Sequence, residues 1–417
     1  MKLANHLTGD IVCLGPSSMV TIRDYPSMLK EYNEKQYDIG AYYYAKDGEL
    51  VSGPIGMEWN REGIAEHAAL PLRVGGFISR ADLSDMFYGQ VKRLGIDIRF
   101  ETGVASYEET SENATVVTQG GERIMGDVVI AADGLSTKSH AMTIGQPTRA
   151  VPSGYAIVRG MYPVSLIQDN PIIKQALPKA GQHPFTCLYT GIGWMRPDDG
   201  SADENWSTTI SREEIAAKMD ADWDPLDLEC MKNVPEGTLI DWKLCWRNPQ
   251  PCWSSKQGRI IQIGDASHSF IPSSGNGAVM AIEDGLSLAE CLRLGRKEGI
   301  SKAVKAHEKL RYQRVALMQR VGFVNGRFVH RDMRDVNKEE RAPFWTGKWL
   351  WAHNPEHYAR ANFRGVVNAI ESGAEWTNTN LPPGHKFETW TMDDEVKKDK
   401  AGIHYDSLKY NGDWEAI

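Results

Sequence analysis

The stretch Gly264-Asp-Ala-Ser-His-Ser-Phe-Ile-Pro-Ser-Ser-Gly-Asn-Gly-Ala-Val-Met-Ala-Ile-Glu-Asp-Gly-Leu-Ser-Leu-Ala289 constrains the fold of this chain more than any other. It follows the run Arg259-Ile-Ile-Gln-Ile263, which reads as a buried strand. Gly264 ends that strand where backbone can pass close to a large neighbour. Asp265 then presents a carboxylate at the strand's C-terminal edge, where α/β sheets bind ligands. After Pro272, Gly275 and Gly277 open a long apolar helix whose first N–H groups face the same space. Such a helix start favours a polarised oxygen or an anion. A lone Gly-x-Gly would serve a plain strand–loop–helix turn equally well; the specificity lies in the whole ordered string.

The rest of the chain alternates between two styles. Residues 82–94 carry Leu83, Met86, Phe87, Val91 and Leu94 at helical spacing, closed by Gly95. Residues 96–100 alternate as a strand should, and 104–107 and 115–118, with a Gly120-Gly121 turn, read as a hairpin system. The run at 127–132 is almost continuously apolar and predicts a strand buried on both faces. Residues 150–255 are richer in short strands, Trp and Pro, with one helix at 211–219. Helices resume from 302 to about 324, and the tail beyond Arg341 predicts a helical cover with a loosely ordered end. The expectation is a mixed α/β (α+β) fold. Residues 1–149 form one domain, with part of a second domain's sheet in 10–75, and 150–255 form that second domain. The first returns at 256–325, and 326–417 form the helical tail.

Composition narrows the function classes. Among 417 residues, 55 Asp and Glu outnumber 47 Lys and Arg, giving a net charge of −8. That disfavours general nucleic-acid binding, which needs a basic face. No apolar run is long enough to span a bilayer, and residues 1–10 have no apolar core of a signal peptide. The six cysteines are scattered without a C-x-x-C pair and read as reduced thiols of a cytoplasmic protein. The histidines show no metal-ligand spacing, so no metal site is expected.

The long string resembles the GD motif of the class A flavin-dependent monooxygenases, the p-hydroxybenzoate/salicylate hydroxylase type. Asp127-Val-Val-Ile-Ala-Ala-Asp-Gly-Leu-Ser-Thr-Lys-Ser-His140 is similar to that family's Asp-Gly motif. Ser79-Arg-Ala-Asp-Leu83 is similar to its Arg-x-x-Leu helix start, and Glu308-Lys-Leu-Arg-Tyr-Gln-Arg314 to a late Glu-x-x-Arg-x-x-Arg helix. The Trp-bearing tail resembles fungal members of secondary metabolism. The resemblance implies an FAD-binding Rossmann-like domain and these contacts: Asp265 on the ribityl chain, Gly277 and Ala278 N–H on the pyrimidine edge, and Pro272 beside the reactive ring face. It further implies Arg80 on the phosphates, Gly9 touching FAD, and Asp133 and Gly134 meeting FAD and the pyridine nucleotide. Thr137 and His140 stand where the family usually has Ser and Arg, which puts the NAD(P)H contact in question. His268 is read as packing beside the flavin.

On the substrate side, Arg159 in Gly154-Tyr-Ala-Ile-Val-Arg-Gly160 and Tyr189 resemble a pair that binds and activates a phenolate; a surface arginine and a core tyrosine fit the pattern as well. The implied reaction takes NAD(P)H and O₂ and oxidises a small aromatic or polyketide-like molecule through a flavin C4a-hydroperoxide, by hydroxylation or, on an isoprenoid, epoxidation. The family's opening strand, Gly-x-Gly-x-x-Gly and acidic residue, which hold the ADP half of FAD, are not found. The expectation is therefore a chain beginning roughly 30–45 residues late, about one strand–helix–strand unit. It would be either an incomplete coding sequence or a shortened member with weak FAD binding. A catalytically inactive homologue that binds a ligand or partner is the alternative.

Overall fold

The computed structural model describes residues 11–38, 41–45, 47–62, 64, 74–160, 162–167, 169–176, 186–190, 195–205, 208–218, 223–296, 299–329, 347–401, 411–414 and 416. Among these the strands form five small sheets. At the centre, Val129–Ala131 and Ile260–Gln262 run parallel, with Ile260 opposite Val129 and Gln262 opposite Ala131. Both strands are short and apolar, and each delivers one of the two motif turns at its C-terminal end. The three-stranded meander Val104–Glu109, Ala114–Thr118 and Arg123–Gly126 stands beside this pair.

Two long helices carry the main core. Gly277–Gly295 and Ile300–Val329 pack together, burying Val279, Met280, Leu288, Val304, Val315, Met318 and Val321 with Trp253 and Ile261. The N-terminal block has a core of its own, with Leu14, Met19, Ile22, Met28, Tyr32, Ile78 and Met86. Ala278 and Ile282, on another face of the 277–295 helix, pack against that core. One helix is thus wedged between two cores, which fixes where its N-terminus points.

Two further sheets draw on the middle of the chain. Val151–Arg159 lies between Met195–Pro197 and Ile240–Trp246, and Ala41–Ala45 lies between Thr186–Thr190 and Leu50–Ile55. The second sheet joins strands far apart in sequence, so early and middle segments interleave. The 212–218 helix (Arg212–Lys218) matches the expected one.

Three expectations need correction. Residues 96–100 form no strand, and Ile96 and Phe100 are exposed. Alternation alone does not make a strand, because an extended segment without a neighbour has no partner for its backbone groups. The 127–132 strand is not buried on both faces: it shortens to Val129–Ala131, and Ile130 is 45% exposed. Among the described residues it pairs only with Ile260–Gln262.

Among the described residues, the tail is tied down and not loosely held. Helix Pro355–Ser372 starts at Asn354, whose side chain accepts from the His357 N–H at 2.9 Å, and stops at Gly373 with φ 71°. Trp390 Nε1 donates to the Ala316 carbonyl at 2.9 Å. Trp414, close to the C-terminus, is buried in the main core and meets Trp349 edge to face.

Candidate functional site

The Asp133–Gly134 turn and the Gly264–Ala266 turn leave neighbouring strands and lie side by side. Gly134 (φ 73°) and Gly264 (φ 59°) both adopt left-handed backbone. At Gly264 there is a second requirement: a Cβ would stand 3.2 Å from the Ala281 Cβ of the adjoining helix. Glycine there lets the strand end and the helix approach each other.

Asp265 opens to solvent, yet it sits at the floor of a recess among protein atoms. Desolvation pushes its carboxyl up, while the positive fields of His268, Arg80 and Arg247 oppose that rise. Arg80 begins the helix Arg80–Arg93, so its field at Asp265 brings the Arg-x-x-Leu and GD motifs to one place. Arg247 is held by a two-pronged pair with Glu204, at 2.6 and 2.8 Å.

The 277–295 helix completes the recess. Asn276 does not cap it with its side chain, and the first intrahelical bond runs from Met280 N–H to the Asn276 carbonyl at 2.9 Å. Gly277, Ala278 and Val279 therefore have no intrahelical acceptor for their N–H groups. Pro272, exposed, and Gly275, left-handed at φ 62°, lead into this helix start. The arrangement offers a carboxylate, a cation and a fan of backbone donors at the ends of two parallel strands.

The Asp-Gly turn has its own support. Tyr107 Oη donates to Asp133 Oδ2 at 2.8 Å from the neighbouring meander. Thr137 and Ser139 share a 2.6 Å hydrogen bond, and Gln262 Nε2 donates to Ser139 Oγ at 2.8 Å. His140 is buried, and that burial lowers its basicity. It packs into the join between the two turns, where an imidazole fits and a permanently charged guanidinium would need a partner.

Behind the recess lies a buried ionic lattice that the motifs alone did not disclose. Asp284 Oδ2 accepts from His268 Nε2 at 2.6 Å and from the Gly264 N–H at 3.1 Å; its Oδ1 accepts from Arg311 Nε at 2.9 Å. Burial alone would raise the Asp284 carboxyl, but His268 and Arg311 hold it well below the carboxylate range. Glu283 is likewise penalised by burial, yet Arg314 and Arg311 bring it to about 2. Arg314 uses all five N–H donors, on both Glu283 oxygens and on the carbonyls of Trp349, Leu350 and Asn380. Glu308, first residue of the late motif, accepts from the Ser254 N–H at 2.8 Å. That motif is a tie-bar joining strand, helix and tail. Its legible signal was charge on faces that otherwise read as apolar.

Arg80, Asp133, Gly134, Asp265, Pro272, Gly277 and Ala278 thus lie on elements that meet at the recess. Gly9 lies outside the described residues. Arg159 ends the strand Val151–Arg159 opposite Ile240, and burial lowers its guanidinium to about 10. Tyr189 belongs to the other sheet, opposite Tyr44. His268 is structural in its contacts, locked to Asp284, tilted against Trp253 and edge-on to Phe270.

The FAD-binding domain family matches residues 75–319, more than half of the chain. The chain is 35% identical to the FAD-dependent monooxygenase fsr3 of Gibberella fujikuroi, over 98% of this chain and 82% of that protein. It belongs to the class A FAD-dependent monooxygenases. The monooxygenase is also 32% identical to the FAD-dependent monooxygenase mdpD of Emericella nidulans, covering 98% of this chain and 83% of that one. The crystal structure of CtdE in complex with FAD and substrate 4 superposes with a TM-score of 0.79 at 28% identity, covering 88% of this chain and 91% of the other. FAD is therefore its cofactor. Among the described residues, no helix is long and apolar enough to cross a membrane.

Proposed function

We propose that this monooxygenase uses NAD(P)H and O₂ to hydroxylate a small aromatic or polyketide-like molecule of fungal secondary metabolism. The observation that carries the site assignment is the meeting of Asp265, Arg80 and the free N–H groups of Gly277 and Ala278 at the ends of two parallel strands. These groups fit the polar rim of a flavin: Asp265 would accept from ribityl hydroxyls, and Arg80 would face phosphate. The N–H pair would hold the pyrimidine edge and stabilise negative charge there. The kinship with monooxygenases does not favour the inactive alternative.

When bound, reduced FAD supplies activation of O₂. Two electrons come from NAD(P)H, one oxygen atom enters the substrate's C–H bond and the other leaves as water. On the protein side, Pro272 would exclude water from one ring face. Arg159, lowered to about 10 but still a cation at neutral pH, suits a phenolate ligand. With Tyr189 it would orient the ring and favour its deprotonated form. The domain reading is that 150–255, with part of 10–75, serves the substrate, while the rest of 1–149 and 256–325 serve FAD and 326–417 form the helical tail.

The test is direct. Purified protein is denatured and released flavin is measured by absorbance; then NADH and NADPH oxidation and O₂ uptake are followed with phenols and with alkenes. Stoichiometric FAD with phenol-stimulated turnover is expected, and Arg159→Ala should raise KM for the phenol. Protein that folds but neither retains nor takes up FAD defeats the site assignment. Stimulation by alkenes alone replaces hydroxylation by epoxidation.

A further inference from the structure

We infer that Asp284 is a positioning residue for Asp265, setting the orientation of the cofactor-facing carboxylate without touching the cofactor. The Gly264–His268 segment is a five-residue turn with Asp265 as its second residue. Both ends are gripped by one oxygen of one buried side chain: Asp284 Oδ2 takes the Gly264 N–H at 3.1 Å and His268 Nε2 at 2.6 Å. Within the turn, the Ser267 and His268 N–H groups return to the Gly264 carbonyl at 2.9 Å each, and Ser267 Oγ does so at 3.0 Å. The turn is therefore closed on itself and clamped at its two ends.

The clamp is itself immobilised. Asp284 Oδ1 accepts from Arg311 Nε at 2.9 Å, and Arg311 is held by Glu283 and by the Met280 carbonyl. Asp284 and Arg311 are at most 1% exposed. Asp284 also lies two turns along the helix that begins at Gly277. One rigid helix thus presents the N–H donors at its start and fixes the carboxylate turn from its side. Residues that hold a ligand group in its working orientation govern affinity through that geometry.

The inference rests on Asp265 being an FAD contact, and the test separates the two. Amide exchange across residues 264–268 and FAD dissociation constants are measured on the full chain, with melting temperature as the stability control. In Asp284→Asn, losing a charge-assisted clamp should speed exchange at 264–268 and weaken FAD about tenfold or more. Arg314→Lys, which loosens the lattice but leaves every Asp284 contact, should lower the melting temperature with FAD affinity within about twofold. If both variants weaken FAD in proportion to lost stability, or if Asp284→Asn keeps wild-type exchange, the inference is wrong.

Should Asp284→Asn fail to fold, His268→Gln decides. It removes one grip and keeps the Gly264 contact, so faster local exchange with weaker FAD supports the inference and wild-type values overturn it. If the wild type binds no FAD, the cofactor assignment of Asp265 fails, and the exchange result alone still decides whether Asp284 fixes the turn.

Discussion

Between the 277–295 and 300–329 helices, Glu283, Asp284, Arg311 and Arg314 are all but inaccessible to water; each is matched by opposite charge, and Asp284, Arg311 and Arg314 also by backbone. The 151–246 region treats charge differently. Burial and the neighbouring Asp224 push the Asp227 carboxyl up to about 6, and burial brings Arg159 down to about 10. In the lattice, ionisation is secured by partners, which hold its geometry at any ordinary pH. In the 151–246 region, burial moves these two groups toward their neutral forms, the condition under which a bound ligand's charge can change their state.

The largest effect should come from breaking the lattice. Arg314→Ala leaves Glu283 with Arg311 alone and strands three carbonyls, and should destabilise the protein by about 4 kcal/mol in chemical denaturation. A loss below about 1 kcal/mol would place the lattice on a par with surface pairs and dissolve the contrast.

The opposite sign is expected in the 151–246 region. Asp227 has a folded pKa raised from 3.8 to about 6, so its stabilising contribution is complete below pH 3.8 and disappears as pH rises through 6. Above that, the buried carboxylate costs about 3 kcal/mol. Asp227→Asn should therefore raise the melting temperature at pH 7.5 and leave it unchanged near pH 4. A destabilised variant at pH 7.5 would show that Asp227 is matched after all.

Two smaller effects sharpen the comparison within the flavin side. Asp265→Ala should weaken FAD on the order of tenfold, read by flavin fluorescence titration, with little change in stability since its carboxylate opens to solvent. Tyr107→Phe removes the 2.8 Å bond to Asp133 and should weaken FAD by about 1 kcal/mol, or fivefold. A Tyr107→Phe effect as large as that of Asp265→Ala would shift the anchoring role toward the Asp-Gly turn.

Much of the site was legible because its residues are local. Gly264, Asp265, Pro272 and Gly277 fall within one strand–loop–helix unit, where the left-handed backbone at Gly264 and Gly275 favours glycine. His140 illustrates the limit. Its substitution for an arginine could be read, but its burial between two turns depends on strands 130 residues apart. The strand expected at 96–100 failed for a related reason, since alternation records a preference and pairing needs a neighbour. Arg159 and Tyr189 were paired by resemblance, and they lie on strands of different sheets.

By itself the sequence determined the α/β class, the two motif turns and the helix start that faces them, because turn geometry and apolar periodicity act over a few residues. Tertiary structure alone decided how those pieces are held. The Asp284 clamp, the five bonds of Arg314 and the Tyr107 contact join residues separated by 16 to 66 positions, and Trp414 turns inward onto a core built from distant segments. Burying a charge is favourable only where partners converge from several elements at once, and that convergence exists only in the folded chain.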